Sequence, residues 1–318
     1  MTDFDRRRFI GASAAMGAGA WAASAEGKPT AAASRPSGPT AEPSGAADAP
    51  PPPPVVDLGK TGIRTSRLAQ GTGVHGGNRQ SDQTRMGFAD LVGLFQHAYD
   101  RGVRFFDLAD LYGTHVYFRE ALRSIPRDEV AILTKVWWPY DGPRSETGVP
   151  HRAQDVRSTL ERFCHELTTD HLDVVLLHCL TDARWPDKME PYMQALDEAK
   201  QKGQVRAVGC SCHDLGALKT AAVTPWVDVI LSRTNPEGVK MDGPPAEVEA
   251  VLRQAKANGK AIIGMKIFGE GALADSRERC MAYAQAHDFL DAMTIGFEKP
   301  EQIDDVLRLM AKHPAAAA

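Results

Sequence analysis

Cysteine is scarce in this 318-residue chain. The five residues, at 164, 179, 210, 212 and 280, are too few and too unevenly spaced to staple a disulfide scaffold. No apolar run approaches the roughly 18 residues that a membrane-spanning helix needs, so no stable membrane anchor is expected. Neither sign of charge is in large excess: 37 Lys+Arg stand against 41 Asp+Glu, a formal net charge of −4. That leaves no bulk positive charge for holding nucleic acid or an anionic lipid surface. What is there is an ordinary globular composition, long enough for two average domains or for one α/β barrel.

The chain opens with Arg6-Arg7-Arg8-Phe9-Ile10, then the weakly apolar, Ala- and Gly-rich stretch Gly11–Ala22, then the small-x-small site Ala23-Ser24-Ala25. A basic segment, an apolar one and a cleavage site in that order read as an export signal. The paired arginines before x-Phe-Ile resemble the twin-arginine type, an address read by export machinery and not an anchor. Residues 1–25 are therefore expected to be removed near Ala25 and the protein to be periplasmic or otherwise exported. Residues 26–54, rich in Pro, Ala, Ser and Gly and closing on Pro50–Pro54, read as a disordered, extended linker. The folded part is expected to run from 55 to 318.

From Arg67 onward, short β-branched runs alternate with longer amphipathic stretches. The strands are expected at Arg67–Gly71, Arg104–Leu108, Val130–Lys135, Leu172–Leu177, Val205–Ser211, Val227–Leu231, Ala261–Met265 and Ala292–Gly296. Val156, Leu160, Phe163 and Leu167 repeat at helical spacing on one face. Gly102, Gly203 and Gly259 stand where helices end, at positions that favour a left-handed residue. Eight such units in about 260 residues predict a single-domain (β/α)8 TIM barrel. An open doubly wound sheet is the alternative. It would normally carry Gly-x-Gly-x-x-Gly after its first strand, which Gly71-Thr72-Gly73-Val74-His75-Gly76 does not match.

In a barrel, chemistry gathers at the C-terminal strand ends. Asp107 ends the second strand, Lys135 the third and His178 the fourth, each directly after an apolar run, and Tyr112 lies five residues past Asp107. Singly, such residues are more often structural. Together they make coherent chemistry: Asp107 orients Lys135, the lysine cation lowers the phenol pKa of Tyr112, and His178 hydrogen-bonds a carbonyl that Tyr112 protonates.

These residues, with Asp-x-Ala-x-x-Tyr-Gly at Asp107–Gly113, Leu58-Gly59-Lys60-Thr61-Gly62-Ile63 and Gly296-Phe297-Glu298-Lys299-Pro300-Glu301-Gln302, resemble the aldo/keto reductase family from Val55 to about Met310. The resemblance implies a short N-terminal hairpin closing the barrel bottom. It implies a catalytic tetrad of Asp107, Tyr112, Lys135 and His178, with Tyr112 as general acid. It also implies a small-molecule carbonyl substrate (an aldehyde, ketone or keto-sugar) and a nicotinamide cofactor, NADP more usually than NAD. The residues expected around that cofactor are Gly71, Thr72, Ser211, Cys212, Lys266, Phe268, Gly271, Lys299 and Gln302. No metal is expected.

The match is uneven at the nicotinamide pocket. Cys212 stands where the family has an amide, Leu231 where it has a glutamine, and Thr234 where it has the tyrosine that stacks on the ring. Two other functions therefore compete with the reductase: a ligand-binding barrel with weakened or lost nicotinamide binding, and a metal-assisted enzyme at Cys179, Cys210, Cys212, His178 and His213. An exporting route would also allow an oxidised pair among those thiols. Trp137, Trp138, Tyr140 and Trp185 are expected in loops lining the substrate mouth.

Overall fold

The computed structural model describes residues 49–137 and 149–316. The segment expected to be an export signal, most of the expected linker, Trp138 and Tyr140 lie outside the described residues. The chain first forms an antiparallel hairpin, β1 (Val55–Asp57) with β2 (Arg64–Ser66). Eight further strands follow: β3 (Leu68–Gly71), β4 (Phe105–Asp107), β5 (Ala131–Val136), β6 (Leu172–Leu180), β7 (Val205–Cys212), β8 (Val229–Arg233), β9 (Ala261–Met265) and β10 (Ala292–Gly296). They close into a barrel in the order β10-β3-β4-β5-β6-β7-β8-β9, each paired parallel to its neighbours. This is the expected (β/α)8 barrel.

The helices are α1 (Asp82–Arg85), α2 (Phe88–Asp100), α3 (His115–Ala121), α4 (Val149–Leu167), α5 (Trp185–Gln201), α6 (Leu215–Val223), α7 (Pro245–Ala257), α8 (Arg277–Ala286) and α9 (Pro300–Lys312). The apolar stripe of α4 works as its spacing predicts: Val156, Leu160, Phe163 and Leu167 are all buried. Gly102, Gly203 and Gly259 take φ of 87°, 75° and 82° just past their helices.

Because side chains alternate across a strand, each barrel strand feeds two cores. Ala69, Phe105, Leu133, Val174, Leu176, Ala207, Leu231 and Ile263 fill the barrel interior. Phe106, Ile132, Val175, Leu177, Val208, Cys210, Ile230 and Met293 face the helices. Leu58 and Ile63, at the neck of the β1–β2 hairpin, are fully buried against the interior set, so the hairpin plugs one end of the barrel. Gly59 comes so near the start of β9 that an added Cβ would stand 2.8 Å from the Ala261 nitrogen. With the N-terminal strand ends thus closed, the C-terminal ends form the open face.

The proline run does more than space. Pro50 and Pro53 are buried, the Arg67 N–H donates to the Pro54 carbonyl at 2.8 Å, and a Cβ on Gly102 would stand 2.7 Å from that of Pro52. From Pro50 onward the chain packs on the barrel. A proline segment has little entropy to lose on docking, since its φ is already fixed.

Candidate active site

Asp107, the last residue of β4, turns its carboxylate into the barrel mouth, where it is almost wholly buried. Burying a charge there requires partners, and two strands supply them. The Lys135 ammonium, from β5, forms an ion pair with Asp107 and also donates to the Leu108 carbonyl at 3.0 Å. Thr294, from β10, donates its hydroxyl to the other carboxylate oxygen at 2.9 Å.

Tyr112 arrives on a short 3-10 turn, Asp110–Tyr112, which ends at Gly113 with φ of 67°. That turn is clamped from outside. Arg162 of α4 pairs bidentately with Asp110 at 2.8 and 2.9 Å, and Arg79 bonds the same carboxylate. From inside, the ring lies across Gly73 and Gly76, where an added Cβ would stand 2.3 and 2.4 Å from ring carbons. The two glycines of the β3 loop thus form a trough that only bare backbone can provide.

The Tyr112 hydroxyl and His178 Nε2 share a hydrogen bond of 3.2 Å, and Lys135 Nζ lies 5.0 Å from the centre of the tyrosine ring. The four expected residues are therefore one cluster. One expectation is corrected. Tyr112 is not lowered by the lysine: burial, then the Asp107 carboxylate and Cys179, push its phenol well above the ordinary value. Because Lys135 is spent on Asp107, its charge does not dominate at the phenol. Burial first, then the Lys135 cation and the neighbouring His213, hold His178 well below its ordinary value, so it is a neutral imidazole. Tyr112 is accordingly a protonated acid resting against a neutral partner.

The cluster opens on a cavity of about 840 Å³. Of the residues expected to hold a cofactor, Gly71, Ser211, Lys266, Phe268, Gly271 and Gln302 line it. Three do not. Thr72 is buried behind the wall, donating to the Asp107 carbonyl at 2.8 Å. Cys212 faces the helices with its sulfur 3.8 Å from that of Cys210, because a strand that turns Ser211 inward must turn residue 212 outward. Lys299 is exposed at the N-cap of α9, outside the lining. Lys266 is there but not free, bonding Glu270 at 3.2 Å.

Of the three residues that depart from the family pattern, Leu231 lines the cavity and Thr234 is buried away from it. The aromatic residues divide as well. Trp137 stands edge-on to His178, ring centres 5.4 Å apart, at the mouth. Trp185, by contrast, is core: it begins α5, buried, 6.3 Å from the Trp226 ring. All five cysteines are free thiols. Among the described residues no group of three His, Cys, Asp or Glu side chains is arranged to hold a metal ion.

Several lining residues escaped the sequence reading, chiefly Arg277 and Thr294, with Arg233 just behind, and His213 entered it only as a candidate metal ligand. His213 shares hydrogen bonds with Arg233 at 2.6 Å and with the Cys179 sulfur at 3.5 Å. Arg233 carried a usable signal. It is an ionisable residue at the end of β8, one Ser past the apolar run Val229–Leu231, much as Lys135 stands one Thr past its own run.

The comparison with known proteins agrees with this geometry. The family model described as Aldo/keto reductase family matches residues 67–315. The chain belongs to the aldo/keto reductase family. Among its relatives, the methylglyoxal reductase DkgB of Salmonella typhi is 28% identical over 147 residues, covering 44% of this chain and 49% of that protein. The aldo-keto reductase AFTS1 of Alternaria alternata is 29% identical over 198 residues, 52% of each chain. The chain spans about half the length of the curated relatives it matches. The aldo-keto reductase AKR11C1 of Bacillus halodurans, in its holo form, superposes with a TM-score of 0.63 at 16% identity over 83% of this chain and 92% of that one. That likeness is one of fold.

Proposed function

We propose that the protein reduces an aldehyde, ketone or keto-sugar, with Tyr112 delivering the proton to the carbonyl oxygen. The observation that carries this reading is the Tyr112–His178 pair, backed by Lys135 and Asp107, on the wall of a cavity large enough for a small-molecule ligand. The reaction also needs a hydride, which a nicotinamide dinucleotide supplies when bound. This chain's residues suit a neutral amide and a pyrophosphate: Ser211 presents a hydroxyl, Lys266 a cation, and Gly271 bare backbone. His178 holds the carbonyl oxygen beside the phenol, and the phenol, protonated at neutral pH, gives up its proton as charge develops on that oxygen.

The family resemblance implies NADPH, but the wall near β10 argues for NADH. Asp275, Glu298, Glu301 and Asp305 line it. The cation there, Arg277, donates to Asp305 at 2.6 Å. The N–H groups of Glu298 and Lys299 are taken by the Gln302 side chain at 2.8 and 3.2 Å. A ribose 2′-phosphate would meet carboxylates where it needs free donors, whereas hydroxyls can donate to them. Fluorescence titration should give NADH binding at least tenfold tighter than NADPH at low ionic strength, and NADH oxidation should follow addition of a short 2-oxoaldehyde or an aryl aldehyde. Tight dinucleotide binding with no reduction of any carbonyl would favour a ligand-binding barrel instead.

The trough under Tyr112 gives a second test. Gly73→Ala must displace the ring, since the new Cβ would overlap its ζ carbon. A misplacement of about 1 Å can cost on the order of 10²-fold in turnover. We expect that loss with an unchanged circular dichroism spectrum; an undiminished rate would show that the ring position is unimportant.

We also propose that the arginine-led N-terminus exports the protein through the twin-arginine route, supported by the order of its basic, apolar and cleavage segments. Replacing Arg6 and Arg7 by Lys should leave the precursor in the cytoplasm; unaltered periplasmic accumulation would refute the assignment.

A further inference from the structure

Resting on the cofactor reading above, we propose that His213 is a specificity residue: an imidazole locked by Arg233 in the Nε2–H tautomer, donating to the nicotinamide carboxamide oxygen in place of the amide that position 212 lacks.

The backbone sets this up. β7 ends at Cys212, and its alternation sends Ser211 to the cavity and Cys212 to the helices, so the next polar side chain to reach the cavity is His213. Ser211 is already oriented, accepting the Cys179 N–H at 2.8 Å on its hydroxyl oxygen, which leaves its own proton free to give. Ser211 and His213 thus offer two donors from one strand end.

The tautomer follows from its neighbour. Arg233 Nη2 lies 2.6 Å from His213 Nδ1, and a guanidinium can only donate. Nδ1 must therefore accept, and a neutral imidazole then carries its proton on Nε2. That proton faces the Cys179 sulfur at 3.5 Å, a weak acceptor that an amide oxygen outcompetes. Arg233 is itself held by the Asp242 carboxylate at 3.1 Å. The groups around the ring are cationic on balance: Arg233 from β8, Lys266 after β9 and Lys135 from β5, against Asp242 and Asp214 nearby. Burial, with Arg233 and the two lysines behind it, holds His213 down to about 3. It is a donor whose charge does not change at any physiological pH.

The test uses the intact protein labelled with ¹⁵N-histidine. The His213 imidazole, identified by its absence in His213→Gln, should show a neutral Nε2–H tautomer without titration from pH 8 to pH 5. In Arg233→Met combined with Asp242→Asn, which avoids stranding the carboxylate, burial still keeps the ring neutral but the lock is gone, and the Nδ1–H tautomer should become populated. NADH titration should show the Kd raised about tenfold in His213→Ala and restored to within about threefold in His213→Gln, whose amide also donates. Unimpaired NADH binding by His213→Ala, or a wild-type His213 that titrates near pH 6, would overturn the proposal alone. A wild-type protein that binds neither dinucleotide would overturn the cofactor reading and this proposal with it.

Discussion

Tyr112→Phe should lower the carbonyl-reducing rate by at least about 10²-fold while leaving the fold and NADH affinity nearly intact. The substitution removes one oxygen and keeps the ring that sits in the Gly73–Gly76 trough, so no cavity opens and no glycine contact is lost. What disappears is the proton donor, together with the hydrogen bond to His178 at 3.2 Å. His178 Nδ1 has no partner, so the change would leave that imidazole without a bond to either nitrogen among the described residues. Stopped-flow measurement of NADH oxidation at saturating aldehyde isolates the loss in the chemical step. A variant that keeps most of the wild-type rate would reduce Tyr112 to a lining residue.

Lys135→Met should act on stability as strongly as on rate. Methionine fills the aliphatic space of the stem but leaves the Asp107 carboxylate, 6% exposed, with Thr294 as its remaining side-chain partner. Removing one member of a buried ion pair typically costs about 3–5 kcal/mol, most of it the desolvation of the stranded charge. Urea unfolding should therefore show a clear fall in midpoint at unchanged slope. Adding Asp107→Asn should recover part of that loss, because an amide is cheaper to bury than a carboxylate. Both variants should remain poor enzymes. If Lys135→Met unfolds at the wild-type midpoint, the pair is not as dry as its burial implies.

The barrel was legible in the sequence because its strands are apolar on both faces and its helices on one. β9 and β10 fall on the expected residues to the last one, each followed closely by a glycine, proline or charged residue that cannot prolong the run. β6 runs on to Leu180 instead of stopping at Leu177, and that difference carries the Trp185 error. A longer strand leaves a shorter loop, so Trp185 begins a helix and turns inward. The tetrad was legible too, since each member is a polar residue set at the end of an apolar run or inside a specific motif. The cofactor wall was less so. At position 212 the motif points to a cofactor contact, whereas strand alternation from Ser211 sends the side chain outward. Lys299 carries the charge a phosphate would need, yet its side chain lies off the lining, and the carboxylates that do line the wall come from the turn before α8, the turn after β10 and α9 itself. Pairing across distant segments, as between Arg233 and His213, leaves no periodic trace in a sequence.

The bond from Thr294 to Asp107 spans 187 residues and two strands of the barrel. β10 is the last strand made, and only when it docks between β9 and β3 does the buried carboxylate gain its second partner. Ring closure and completion of the reactive centre are thus a single event in assembly. A nascent chain halted before Ala292 can pair Asp107 with Lys135 but cannot seal the mouth. A proofreading step that senses closure, such as transport restricted to finished molecules, would by the same act select those with a complete reactive centre.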